Sequence, residues 1–445
     1  MIQKTKMATF AKAASYCGIV ALVSKQYKHF IPNASVLMTK HFSTAVQNYV
    51  DYDIIISGGG MVGTTLACAI ANNRKLEGAW QHIEAVRLCA VQKMQVWDAC
   101  SDAMIVFNED YLSEEIAYIV ENDLLLHAVN KQLAEKENVN VIYNSKVENI
   151  ILPKKLEENA EVQLQNGTKY KAKLLVGADG ANSLIRRAMG TQYVKWDYNQ
   201  MAIVGTLKLS ESTENTVAWQ RFLPGGPIAL LPLTDCLSSL VWSLPTDEAK
   251  RLLRVSEEEF VDNVNDALWK IYPKDGVVES GLQALQQLLE GLSLQTGLVR
   301  QLPPSVSAIV EGSRAAFPLQ FGHSVRYVQP GTVLIGDAAH KVHPLAGQGA
   351  NLGFGDITVL VQLLAEAVIS GALLGDMNFL RQYETLRQRY NVPIMLSIDA
   401  LHRLYKGTAA PIVFARSLGL QLTNAIPVIK RALIDHASGK VGNQR

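Results

Sequence analysis

Apolar positions along this chain change their spacing more than once, and each change predicts a different element. Asp53-Ile54-Ile55-Ile56-Ser57 is a short β-branched run without polar alternation, the pattern of a strand buried on both faces. Thr64 to Asn72 follows with small and apolar residues of helical character, and residues 109–135 also read as helix. Glu161–Leu164 and Lys171–Gly177 flank Asn166-Gly167, a strong hairpin signal. Between residues 200 and 245, Met201–Leu207, Val217–Leu223, Ile228–Leu233 and Leu237–Leu244 predict antiparallel strands, with Pro224-Gly225-Gly226-Pro227 at one turn. This is a separate, sheet-based layer. Residues 255–292 are mostly helical, Val333-Leu334-Ile335 is another apolar strand, and a helix is expected from roughly Gly349 to Ser370.

The first strand runs directly into Gly58-Gly59-Gly60-Met61-Val62-Gly63 and then into helix. Strand, Gly-x-Gly-x-x-Gly and helix together are the dinucleotide fingerprint in the context it requires. Gly58 permits the tight turn, Gly60 lets a pyrophosphate approach the backbone, and Gly63 lets the helix pack on the strand. Free N–H groups and the positive end of the helix dipole then hold phosphates. A glycine-rich turn with no ligand is the plainer alternative. Such a site normally adds a second strand ending in Asp or Glu about 20 residues on, for the ribose hydroxyls. Here Asn72-Asn73-Arg74-Lys75 leads at once to Leu76-Glu77-Gly78-Ala79-Trp80, and no β-branched strand precedes Glu77. The second strand is missing or severely shortened.

Two other strand ends carry chemistry. Gly177-Ala178-Asp179-Gly180 opens a helix bearing Arg186 and Arg187, which suits a second phosphate-facing turn or, more plainly, a strand-to-helix turn capped by Ser183. Gly336-Asp337 follows the strand Val333–Ile335, and an ionised Asp337, acceptor only, suits the hydroxyls of a polyol chain. Gly347-Gln348-Gly349-Ala350-Asn351 then begins a helix whose N-terminal N–H groups could hold negative charge. His340 and His343 lack a carboxylate or cysteine at ligand spacing, so they are not read as a metal pair.

Composition bounds the rest. The 445 residues are 48% hydrophobic and 19% charged, which fits a globular chain with a sizeable core. No sequence run approaches the ~20 consecutive apolar residues of a membrane span. Lys plus Arg number 42 against 41 acids, no footprint for a nucleic-acid binder. Five cysteines (Cys17, Cys68, Cys89, Cys100, Cys236) without a C-x-x-C pair point to a reducing compartment. Residues 1–50 hold six lysines and no Asp or Glu, which reads as a mitochondrial presequence, although without arginine.

Three motifs in this order, the glycines Gly58–Gly63, the Asp-Gly segment Ala178–Arg187 and the Gly-Asp segment Gly336-Asp337 with its glycine-rich helix start, resemble those of the FAD-dependent aromatic hydroxylases. Met94–Cys100, Tyr118–Asp123, Trp219–Pro224, Gln301–Val306 and Gly336–Asp356 resemble that family's mitochondrial ubiquinone-biosynthesis branch, and the match covers nearly everything after residue 50. The resemblance implies an α/β fold: a Rossmann-like FAD-binding domain with an interleaved β-sheet substrate domain, p-hydroxybenzoate hydroxylase-like. The expected boundaries are a presequence at 1–45, FAD-binding parts at 50–190 and 311–400, a mainly antiparallel substrate domain at 191–310, and a C-terminal helical region at 401–445.

It also implies roles. The FAD pyrophosphate would lie over Gly58, Gly60 and Gly63, and Asp337 would bind the ribityl chain. Asp179 and Gly180 would form the segment shared between flavin and, in relatives, nicotinamide. Pro344 and the turn Gly347, Gly349, Ala350, Asn351 would lie against the isoalloxazine ring. No side chain is expected to act as nucleophile or metal ligand, because the chemistry is flavin-centred, through a flavin hydroperoxide. The implied reaction is hydroxylation by O2 at C5 of a polyprenylated 4-hydroxybenzoate-type phenol, with a ferredoxin and ferredoxin reductase as donor and NADPH as ultimate source. The implied setting is the matrix side of the mitochondrial inner membrane, peripheral, in a complex with other ubiquinone-biosynthesis proteins; the amphipathic region 410–436 could touch that membrane or, as readily, pack as a helix on the flavin domain. Family members carry several tens of residues before Gly78-Ala79-Trp80 that are absent here, including the ribose acid. The alternative is therefore a flavin-poor, inactive form kept as a structural subunit. A halogenase or dehydrogenase on the same fold is a further reading, but the halogenase Trp-x-Trp-x-Ile-Pro motif is absent.

Overall fold

Three parallel strands bring the three motifs to one edge of a sheet. The structure, a computed structural model, describes residues 20–23, 49–71, 77–101, 103–108, 115–212, 214–291, 300–426 and 430. The chain divides into two compact units. Unit 1 comprises residues 1–85, 121–196 and 320–396; unit 2 comprises 86–120, 197–319 and 397–445.

The sheet of unit 1 includes β1 (Val20–Val23), β2 (Tyr49–Ser57), β3 (Val139–Ile142), β4 (Lys169–Gly177) and β5 (Thr332–Leu334). Its helices include α1 (Met61–Ala71), α2 (Leu184–Ala188), α3 (Gln348–Ile369) and α4 (Met377–Lys406), the last continuing past residue 396. β4 runs parallel to β2 with Gly177 beside Ser57, and β5 runs parallel to β4 with Leu334 beside Gly177. Ile54, Ile55 and Ile56 are wholly buried, as a doubly covered parallel strand requires. The ladder continues past the strand ends: the Ala178 amide donates to Ser57 O at 2.8 Å and the Ile335 amide to Gly177 O at 3.0 Å. Gly58, Ala178 and Gly336 therefore leave the carboxyl edge side by side, where open parallel sheets bind their ligands.

The missing second strand takes an unexpected form. After α1 the chain enters a helix, Glu77–Glu84, so no parallel strand follows. The place beside β2 is filled by β1, antiparallel, with Val20 opposite Ser57 and Val23 opposite Ile54. β1 also pairs antiparallel with β3, Val20 opposite Ile142. The segment set aside as targeting sequence thus supplies the neighbour that β2 was expected to lack. Any four-residue apolar stretch can satisfy backbone groups in a ladder, which is why its sequence gave no signal.

Other expectations are also revised. The helix expected at 109–135 is Asn122–Ala134, preceded by the strand Ala117–Ile119, and residues 109–114 lie outside the described set. Residues 86–120, expected with the first domain, fold in unit 2. Lys93–Asp98 pairs in parallel with Val217–Leu223, Val96 beside Gln220. That strand is followed by Gly226–Thr234 and Leu237–Pro245 in antiparallel register. Trp97, Leu230, Leu240 and Phe260 are almost fully buried in the core of unit 2. Its helices include Glu257–Trp269, capped by the Ser256 hydroxyl accepting from the Glu259 amide at 3.1 Å, and α5 (Ala410–Ala425).

Two helices bear on membranes. α3 is long and apolar enough to cross one, an exception to the expectation from sequence, yet Leu360 and Leu364 are buried in the core of unit 1 and Asp356 is ion-paired within it. α5 turns Val413, Arg416 and Ser417 inward. Arg416 grips buried Asp98 through Nε at 2.7 Å, so that face is occupied within unit 2. The remainder of 410–436, apart from Ile426 and Lys430, lies outside the described residues.

Candidate functional site

The site is built from backbone turns at the carboxyl edge of unit 1. At the first turn, Gly58 has φ +124°, and a Cβ there would overlap the carbonyl of Ala178. A Cβ on Gly63 would overlap the carbonyl of Gly58. These two glycines are therefore packing requirements. Gly60 differs: it is exposed, and a Cβ there meets nothing within 4 Å. The Gly60 carbonyl accepts from the Thr64 amide at 3.1 Å and the Thr64 hydroxyl at 3.0 Å, which fixes the first turn of α1 behind open space. That is the cradle a pyrophosphate needs.

Asp179 serves two directions. Its Oδ2 accepts from the Leu184 amide at 2.6 Å and the Ile185 amide at 3.3 Å, capping α2 together with Ser183, whose hydroxyl accepts from Arg186 N at 2.9 Å. Its Oδ1 is shielded from solvent and has no hydrogen-bond partner among the described residues. A buried acceptor of this kind is costly unless a donor arrives, and a ligand hydroxyl is such a donor.

The arginines of this turn are engaged by backbone carbonyls, as the plainer of the two readings, a strand-to-helix turn capped by Ser183, would have it. Arg186 donates to Ala338 O at 2.8 Å and to Ala181 O at 2.6 Å, and its guanidinium lies 3.8 Å from the Tyr193 ring centre. Arg187 donates to the carbonyls of Ser183 and Asn182. Arg186 thus ties the Asp179 turn to the Asp337 turn.

Gly336 takes φ +57°, a left-handed conformation that glycine adopts without strain. Asp337 is solvent-exposed on one face, yet surrounding protein pushes its carboxyl above the ordinary value, with His340 and Lys341 pulling the other way. Val62 is the packing centre: a Cβ on Gly336 would come within 3.1 Å of it, and one on Gly353 within 2.6 Å. Pro344 is half-buried, Gly349 partly buried, and Gly347, Ala350 and Asn351 are exposed at the N-terminus of α3. The first turn of α3 contains no acid, so its N–H groups are free of a competing carboxylate.

Sequence reasoning missed Asp356. This fully buried carboxylate on α3 accepts at Oδ2 from Gly336 N at 2.9 Å and from His340 Nε2 at 2.6 Å. At Oδ1 it accepts from Arg387 Nε at 2.8 Å and Asn391 Nδ2 at 3.3 Å. Burial pushes its pKa up, but these cationic and hydrogen-bonding partners win and hold it below the usual carboxylate range. Neither His340 nor the pattern around it gave a ligand signal, and His340 is accounted for by Asp356. The available signal was an acid set among Leu352, Phe354, Ile357 and Leu360 in a mostly apolar helix.

The residues fit most of an FAD molecule: an open phosphate cradle, a buried acceptor awaiting a donor, an exposed carboxyl, and a free helix N-terminus. The adenosine end fits less well. The strand end beside Ser57 is Val20, which carries no carboxylate for ribose hydroxyls.

Comparison with known proteins decides the family. Residues 315–393 match the family model of an FAD binding domain. The chain is 45% identical over 433 residues to the mitochondrial ubiquinone biosynthesis monooxygenase COQ6 of Danio rerio, covering 87% of this chain and 90% of that one. It belongs to the COQ6 monooxygenase family. The Homo sapiens COQ6 protein is 41% identical over 474 residues, covering 96% and 99% of the two chains. Both alignments are longer than the share of this chain they take in, so these COQ6 relatives carry several tens of residues without counterpart here. Among solved structures, p-nitrophenol 4-monooxygenase PnpA from Pseudomonas putida is similar with a TM-score of 0.63 at 14% identity, covering 88% of this chain and all of that one. PqsL of Pseudomonas aeruginosa, a probable FAD-dependent monooxygenase, gives 0.60 at 18% identity over 83% of this chain and all of that one. At such identities these likenesses establish the fold, which is the one expected from sequence. With the COQ6 family shown, the chain is an FAD-dependent monooxygenase by class and a member of a family named mitochondrial.

Proposed function

We propose that this COQ6 family member hydroxylates the aromatic ring, at C5, of a polyprenylated 4-hydroxybenzoate-type precursor of ubiquinone. The supporting observation is the meeting of three turns, led by Gly58, Asp179 and Asp337, at one carboxyl edge in a chain of this family. Bound FAD would supply the oxygen-activating redox chemistry. The protein's part is to bind and orient. Gly58, Gly60 and Gly63 hold the pyrophosphate on the amides of α1, and Asp337 accepts from ribityl hydroxyls. Asp179 Oδ1 accepts from a further ligand hydroxyl beside Gly180. Pro344 and Gly347–Asn351 face the ring, where the α3 N-terminus favours negative charge.

In this reading O2 is co-substrate, and a ferredoxin with its reductase delivers electrons that originate in NADPH. The protein works peripherally on the matrix side of the inner membrane, beside other ubiquinone-biosynthesis proteins, after import directed by residues 1–45. Cleavage at 45 would remove β1, so sequencing the N-terminus of the mature protein shows whether that strand is kept. The test of function is expression in cells lacking their own COQ6 protein. Restored ubiquinone with loss of the ring-unhydroxylated precursor supports the reading. A stable chain that restores neither, and that carries no flavin, supports the second reading, a structural subunit, which the missing ribose acid favours.

A further inference from the structure

We propose that Asp356 is a positioning residue of the flavin site: one buried carboxylate sets both the turn that presents Asp337 and the start of α3. The inference rests on the reading of FAD at this edge. Four donors converge on Asp356 from two stretches of chain, Gly336 and His340 in one and Arg387 and Asn391 of α4 in the other. Its Oδ2 side holds the Gly336 amide and His340, which bracket Asp337. Its Oδ1 side holds Arg387 and Asn391 of α4, and Arg387 reaches on to the Leu352 carbonyl at 3.1 Å, in the opening turns of α3. Asp337 makes no hydrogen bond to these groups among the described residues, although His340 is close enough to act on its charge; it follows Gly336 in the chain and takes its position from it. A carboxylate without remaining free valence, enclosed by donors, has one geometry, which is what a turn with φ +57° at Gly336 needs in order to stay put.

Asp356→Asn isolates the effect. The amide oxygen remains toward Arg387 and Asn391, because an NH2 facing a guanidinium is unfavourable, so the NH2 falls on the side of Gly336 and His340. His340 can accept from it after changing tautomer, but the Gly336 amide then faces a donor. The damage is centred on the Asp337 turn: Gly336 packs on Val62, but the hydrogen bonds of Asp356 among the described residues involve no group of Gly58–Gly63. Asp98→Asn serves as control, since Asp98 is an equally buried carboxylate bound to Arg416 in unit 2.

The experiment measures FAD dissociation constants of flavin-free protein at a temperature where every variant is folded, together with ADP as a competitor that reports the pyrophosphate cradle alone. Asp356→Asn is expected to weaken FAD at least tenfold with ADP affinity unchanged, while Asp98→Asn lowers the melting temperature without moving either. His340→Gln, which keeps the carboxylate, is expected to weaken FAD in the same direction by less, and serves if Asp356→Asn does not fold. Equal FAD affinity in wild type and both unit 1 variants overturns the proposal, and so does a parallel loss of ADP affinity, which would mark general loosening. If the wild type binds ADP but no FAD, the flavin reading itself fails.

Discussion

Arg186 donates to the carbonyl of Ala338 across 152 residues of chain, at 2.8 Å, and so fastens the Asp179 turn to the Asp337 turn. The guanidinium is buried, and burial lowers its pKa, partly offset by the charge interactions of the Tyr193 hydroxyl and Asp179. Arg186→Ala leaves the Ala338 and Ala181 carbonyls short of partners, each costing about 1–3 kcal/mol where buried. A melting temperature lower by several degrees is expected, together with weaker FAD binding; thermal melts with and without FAD measure both. Unchanged melting would mean that the two turns are held by other contacts.

The glycines of the first turn are separable. Gly63→Ala is expected to lower stability and flavin content together, because its Cβ overlaps the Gly58 carbonyl. Gly60→Ala has open space and no positive φ, so it is expected to fold normally and lose FAD affinity only. Melting curves and flavin titrations of the two variants separate packing from ligand approach.

Acid dependence follows from Asp356. Its folded pKa is depressed, so its stabilising contribution is fully present above the unfolded carboxyl value of about 3.9 and is lost as pH falls through the folded value. The stability gap between wild type and Asp356→Asn, from urea titrations, is expected to be constant from pH 7 down to about pH 5 and to close below about pH 4. A gap that stays constant throughout that acid range contradicts the depressed carboxyl.

The edge beside β2 makes its own prediction. Inserting the COQ6 relatives' extra segment between Glu77 and Gly78 is expected to raise FAD affinity and thermal stability, because a parallel strand bearing a ribose acid would replace β1. Deleting residues 1–45 from the chain as it stands is expected to lower the melting temperature, because the β2 groups paired with Val20–Val23 lose their partners. Calorimetry of the three forms gives the order.

How far the sequence could be read depended on sequence distance. Gly58–Gly63 was legible because turn, cradle and helix start lie within six residues, each with a local steric reason. The α3 start and the Asp337 strand end were legible for the same cause. The sequence leaves the role of Arg186 open between two readings because its partner, the Ala338 carbonyl, belongs to another motif. Lys93–Asp98 was placed in the wrong unit because its pairing partner, Val217–Leu223, lies more than 100 residues away. Asp356 was overlooked because a buried acid is defined by donors gathered from Gly336, His340 and Arg387, which no periodicity relates. β1 escaped notice because four apolar residues amid lysines carry no strand signature of their own.

That the three strand ends form one FAD site is tested most directly by titrating FAD into the flavin-free chain and into Asp337→Ala. A charge-assisted hydrogen bond from a ribityl hydroxyl to Asp337 is worth about 1.5–3 kcal/mol, roughly a tenfold or greater loss in affinity when removed. The expected result is saturable binding of one FAD per chain, weakened at least tenfold in Asp337→Ala and nearly unchanged in Asp98→Asn of unit 2. No saturable binding by the wild-type chain, or equal affinity in all three, would contradict it.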